Sequence, residues 1–95
     1  MSSTITIVAN INAKAGFEAE VEQALKQAEQ QVQSEPGCEY YVLHKNLEQA
    51  GQFIMIERWQ SEEMLAQHNQ AEPLQQLVRA LEGKAELSVT KMTQI

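Results

Sequence analysis

Glu57 and Trp59 stand two residues apart in the stretch Phe53-Ile-Met-Ile-Glu57-Arg58-Trp59, and His68 follows in Leu65-Ala-Gln-His68. The first stretch has the β-branched and aromatic character of a strand, in which residues two apart share a face. The carboxylate and the indole therefore point the same way. A helix laid on that face would bring His68 to them and close a small pocket. An imidazole exchanges protons near neutral pH. A carboxylate among apolar groups is partly desolvated and holds its proton more tightly. An indole supplies an aromatic wall with one N–H donor. Such a set can bind and deprotonate a small organic acid, for example a phenol.

Each candidate also has a plainer assignment. His68 reads as a general base, or as a helix histidine that is partly exposed or bonded to a backbone carbonyl. Glu57 could orient His68, bond a substrate hydroxyl, or pair with Arg58 or a lysine near the surface. Trp59 could be core or pocket wall, and Tyr41 could line the pocket or pack under a helix. Asn10, on the polar face of the first strand, could bind a substrate oxygen through its amide or simply be solvated. His44 reads as a strand-end surface residue. Cys38 reads as a small buried side chain at a strand start, with no activating cation beside it in sequence. Two distant histidines and one cysteine have no metal-ligand spacing. Glycine-rich phosphate loops and dinucleotide fingerprints are missing as well. The expectation is therefore no metal and no cofactor.

The elements that must position these residues are legible from periodicity. Gly16, Gly37, Gly51 and Gly83 fall at apparent junctions and divide the chain. Ile5, Ile7, Ala9 and Ile11 alternate with polar residues over 4–12, which predicts a strand. Phe17, Val21, Ala24, Leu25, Ala28 and Val32 recur at helical spacing over 17–34, and Pro36 with Gly37 ends that helix. Strand-like runs at 38–46 and 53–59 are close enough for an antiparallel hairpin. Ser61 is placed to cap a short helix through about Asn69, and Pro73 to open a further helical segment with the stripe Leu74, Leu77, Val78 and Leu81. Alternation returns over 84–94.

The order β-α-β-β-α-β predicts an α+β fold of ferredoxin-like type, a four-stranded antiparallel sheet with its helices on one face. Ninety-five residues make one domain, 1–95. On the hairpin, Ile54 and Ile56 or Phe53 and Met55 would face away from the helices, and both sets are apolar. That open face predicts a homodimer formed sheet against sheet. A net charge of −6 with no cluster of basic residues argues against nucleic acid as partner. No apolar run is long enough to span a bilayer, and the start, Met1-Ser-Ser-Thr4, lacks the basic and apolar regions of a leader. A soluble cytoplasmic protein is expected, with no membrane partner.

Three segments in this order carry a resemblance. They are Glu35-Pro36-Gly37-Cys38 leading to Tyr41-Val-Leu43-His44-Lys45-Asn46, then Phe53-Ile-Met-Ile-Glu57-Arg58-Trp59, then Met64-Leu65-Ala-Gln-His68. With them the chain resembles the antibiotic biosynthesis monooxygenase domain superfamily, over nearly its whole length. The resemblance implies a dimeric α/β barrel with a pocket between the helices and sheet of each subunit. Its members include cofactor-independent monooxygenases that oxidise quinols and anthrones with O2. Others isomerise a phosphorylated sugar derivative, and a distant branch degrades haem. The fold therefore constrains the pocket more than the reaction. Many relatives carry a second histidine about five residues after the first, just before an aromatic. Here Pro73 and Leu74 occupy those places, which disfavours any mechanism needing paired imidazoles. Haem degradation is disfavoured too: Asn10 and Trp59 could stand in for two of its residues, but the segment from Pro73 to Glu82 has no histidine.

The leading expectation is a homodimeric oxygenase of the quinol or anthrone type, acting on a small molecule with O2. His68 and Glu57 are its catalytic candidates; Trp59, Asn10 and Tyr41 are its substrate-binding candidates. An isomerase of a small hydroxycarbonyl compound would use the same pocket without oxygen. A non-catalytic dimer would either fill the pocket with its own side chains or bind a ligand without turnover.

Overall fold

The structure, a computed structural model, describes residues 4–95; the expectation drawn from Met1, Ser2 and Ser3 lies outside the described residues. Its elements run β1 (Ile5–Ala13), α1 (Glu18–Val32), β2 (Cys38–Lys45), β3 (Gln52–Trp59), α2 (Glu62–Gln70), α3 (Glu72–Leu81) and β4 (Ala85–Met92). The strands form one antiparallel sheet in the order β2-β3-β1-β4, as the ferredoxin-like expectation requires. No helix among the described residues is long and apolar enough to cross a membrane.

The alternation in β1 decides which face of the sheet the helices cover. Ile5, Ile7, Ala9 and Ile11 are buried and lie opposite Trp59, Glu57, Met55 and Phe53 of β3, which are buried too. Val21, Leu25, Ala28 and Val32 of α1, Leu65 of α2, and Leu77 and Leu81 of α3 close over them. Of the two apolar sets on the hairpin, Phe53 and Met55 thus belong to the core. Ile54 and Ile56 lie on the other side, level with Asn10 and Val8 of β1, where they are half-buried.

A register shift in β2 sets what faces the helices at the sheet's edge. Cys38 lies opposite Trp59 and Tyr40 opposite Arg58, so Glu39 is an extra residue in the strand. A bulge of this kind reverses the in-and-out alternation beyond it. Cys38 and Tyr41, three residues apart, consequently share the helix-covered face. Tyr41 lies opposite Glu57 and is fully buried, while Tyr40 is exposed.

Helix ends follow the expected local chemistry. Ser61 caps α2 by accepting a hydrogen bond from the Met64 N–H at 3.2 Å. Pro73 sits in the first turn of α3, where its missing N–H costs nothing. The first helix ends at Val32, two residues short of the expected limit, and the chain then turns through Glu35, Pro36 and Gly37.

Candidate functional site

Five side chains, from β2, β3, α2 and the turn after α1, meet at the inner side of α2. Trp59, at the end of β3, is fully buried, and its Nε1–H donates to Glu57 Oε1 at 2.9 Å. The two share a face as strand geometry demands, with the indole reaching back along the strand to the carboxylate. His68, on the inner side of α2, stacks on the indole with ring centroids 4.4 Å apart and planes 26° from parallel. Tyr41 closes the cluster from β2, edge-on to both rings, 5.7 Å from His68 and 6.4 Å from Trp59. His68 Nδ1 lies 2.8 Å from Glu35 Oε1, in the turn after α1.

Beside this cluster lies a cavity of about 230 Å³. Tyr41, Glu57 and His68 reach it from one side; Leu87, Val89 and Lys91 of β4 border it on the other. Ile7 lies between, paired with Glu57 on one flank and Lys91 on the other. Glu57 and Lys91 are therefore two strand spacings apart, about 10 Å between backbones. Lys91 Nζ is bonded to Glu62 Oε1 at 3.0 Å, at the N-terminal end of α2. The remaining walls are apolar side chains of β1, α1, β3, α2 and α3, with Asn69 the further polar member.

Burial governs the electrostatics. Removal from water, reinforced by the nearby Glu35 carboxylate and only partly offset by the Trp59 hydrogen bond, pushes the Glu57 carboxyl up to about 7. Near neutral pH it is a mixture of acid and carboxylate, and its burial is what makes it so. Tyr41 is held above the ordinary tyrosine range by burial first and the Glu57 and Glu35 charges second, which leaves it a neutral phenol. Burial, Glu35 and Glu57 also push the Cys38 thiol up, the opposite of what activates a nucleophile.

The structure thus brings Glu57, Trp59, His68 and Tyr41 together. Three details differ from the sequence-based expectation. Glu57 does not orient His68 and is not paired with Arg58 or a lysine; its protein partner is the indole. Trp59 is not on the cavity wall: it lies behind His68 and shapes the site through that ring. Asn10 faces the opposite side of the sheet, level with Ile54 and Ser88, and cannot reach the cavity. The parity of β1 already carried this, since the inward set Ile5, Ile7, Ala9 and Ile11 leaves Asn10 outward. His44 is exposed, as expected. Glu35 and Asn69 are site residues that the sequence reading did not single out, and of the cations Arg58, Arg79 and Lys91, whose convergence on the pocket the sequence left open, Lys91 borders the cavity. The Glu35 signal was the Glu-Pro-Gly turn itself, which holds a side chain at the end of the amphipathic helix α1.

Comparison with known proteins places this arrangement. No curated protein sequence matches the chain. Among solved structures, Pseudomonas aeruginosa PA3566 superposes with a TM-score of 0.93 at 26% identity, over 100% of this chain and 97% of that one. A Bacteroides thetaiotaomicron protein of unknown function, described as a possible oxidoreductase, gives 0.91 at 23% identity over 97% and 98% of the two chains. A Deinococcus radiodurans protein named as a candidate antibiotic biosynthesis monooxygenase gives 0.89 at 24% identity over 96% and 92%. At such identities the last two likenesses speak to fold alone. The sequence profile of the antibiotic biosynthesis monooxygenase family matches residues 4–80, which includes Glu35, Tyr41, Glu57, Trp59 and His68. The chain belongs to the antibiotic biosynthesis monooxygenase family.

Proposed function

We propose that this protein oxidises a small phenolic or enolisable aromatic compound with O2, and that His68 is its general base. The observation that carries the proposal is that His68 and Glu57 open onto one largely apolar cavity, so that a base and a tunable acid face the same ligand. The volume of about 230 Å³ lies below the usual range for ligand pockets. It exceeds the roughly 150 Å³ that admits benzene into an apolar cavity.

In this reaction His68 takes a proton from the substrate, and the Glu57 carboxyl bonds the substrate oxygen on which charge gathers. The anion gives one electron to O2, and the resulting radical and superoxide combine to form a C–O bond. The proton on His68 passes to the peroxide. Water then leaves with the remaining hydrogen of that carbon, so one oxygen atom ends in a new carbonyl and the other in water. The largely aliphatic lining lowers the polarity around the intermediates.

Oxygen uptake by the purified protein with a panel of quinols and anthrones is the test. Turnover should yield one ring-oxidised product per O2, and His68→Ala should lower it at least roughly 10²-fold; no uptake with any member of the panel contradicts the proposal. The paired protonic groups also suit an isomerase of a hydroxycarbonyl compound, whose product would form in anaerobic buffer. An open cavity speaks against a non-catalytic protein that fills its own pocket.

The proposal extends to a homodimer built on the other face of the sheet. Val8, Ile54, Ile56 and Val42 form a half-buried apolar patch there, with Val8 and Val42 both paired to Ile56. Sedimentation should give about twice the chain mass, and Ile56→Lys should shift it toward the monomer.

A further inference from the structure

The turn between α1 and β2 delivers one carboxylate to one imidazole nitrogen, and its construction is unusually determined. Glu35 N–H bonds the Val32 carbonyl at 2.9 Å and Cys38 N–H bonds the Glu35 carbonyl at 3.2 Å. Gln60 N–H bonds the Gly37 carbonyl at 2.8 Å, which ties the turn to the end of β3. Gly37 has φ +78°, and a Cβ there would lie 2.5 Å from Met64 Cβ and Cγ. Only glycine permits both that backbone and that approach. Met64 is one helical turn before His68 on α2, so the turn is seated on the very helix that carries the imidazole.

His68 is also held on its other sides. The indole covers one ring face, Tyr41 meets it edge-on, and its side chain is almost wholly buried. A carboxylate can only accept, so the 2.8 Å contact with Glu35 Oε1 puts the hydrogen on Nδ1. In the neutral ring the lone pair is then on Nε2. We propose that Glu35 is a positioning residue that fixes His68 in the Nδ1–H tautomer, so that Nε2 is the proton acceptor, and that it stabilises the imidazolium once a proton has arrived. The second half rests on the reading of His68 as base; the tautomer does not.

A bond kept only to fasten the turn to the helix would not need a charge. Glu35 Oε2 is buried with no hydrogen-bond partner among the described residues, an arrangement that destabilises the fold. An apolar pair of similar shape would hold the same turn with less strain on stability. What the carboxylate adds is a directional acceptor and a negative charge beside the ring, the two things an imidazole base uses.

The experiment is a long-range 15N–1H correlation spectrum of the wild-type protein, at a pH where the ring is neutral, without substrate. The sequence has two histidines, and exposed His44→Gln assigns the signals. His68 should show a protonated Nδ1 and an unprotonated Nε2, and Glu35→Ala should lose that pattern. A wild-type Nε2–H tautomer overturns the proposal, as does an unchanged tautomer in folded Glu35→Ala. If Glu35→Ala does not fold, the wild-type spectrum alone decides. In the oxygen-uptake assay, Glu35→Ala should lower kcat roughly tenfold or more with little change in KM. The spectrum needs no turnover, so a protein inactive toward every quinol would remove the oxygenase reading and leave the tautomer assignment standing.

Discussion

The two halves of the helix-covered sheet face are packed to different ends. Under α1 and α2, β2 and β3 present Tyr41, Trp59 and Met55, each 2% exposed or less. Beside α3, β4 presents Leu87 and Val89, 46% and 56% exposed, with the cavity between strand and helix. The tight half holds the ionisable groups and fixes their partners. The loose half holds no buried charge and leaves room. A rigid polar cluster at the edge of an apolar void is a sound way to divide labour, because orientation needs close packing and binding needs space.

Breaking the tight half should have the larger effects. His68→Ala should lower turnover by roughly 10²- to 10⁴-fold, the range for loss of a general base, measured as O2 consumption under saturating quinol. Gly37→Ala should cost roughly 2–4 kcal/mol in urea unfolding, since it combines an unfavourable φ with a collision against Met64. Glu57 makes the pH dependence specific. Its carboxyl is raised in the folded state, to about 7, so between the unfolded value and 7 the folded protein binds more protons than the unfolded chain. Its contribution to stability is most favourable below the unfolded value and falls as pH rises through 7, by on the order of 3 kcal/mol. Urea unfolding at pH 5 and pH 8 should show this loss in wild type and a smaller one in Glu57→Gln. The smallest effect is at the cap. Ser61→Ala should cost about 1 kcal/mol, by the same measurement.

Much of this division could be read in the chain and some could not, for definable reasons. The element order, the shared face of Glu57 and Trp59, and the arrival of His68 on the next helix follow from periods of two and 3.6 residues and were all present in the sequence. The choice of Phe53 and Met55 over Ile54 and Ile56 was not, because both sets are apolar and only the register with β1 separates them. Tyr41 reached the site through an extra residue at Glu39, and nothing in Cys-Glu-Tyr-Tyr announces a bulge. Glu35 lies 33 residues before His68. Its role depends on how a turn docks on a later helix, a tertiary event that leaves only the Pro-Gly pair as a local trace. Asn10 erred in the other direction: its outward parity was legible, and its exclusion from the cavity needed only the side on which the helices pack.

The most direct test of the division is a steady-state comparison of His68→Ala with Val89→Trp, which fills the loose half from β4. Val89→Trp should raise KM at least tenfold and leave kcat within about threefold of wild type, while His68→Ala does the reverse. Equal losses of kcat in both variants, or an unchanged KM in Val89→Trp, would contradict the claim that the cavity binds the substrate and the cluster beside it does the chemistry.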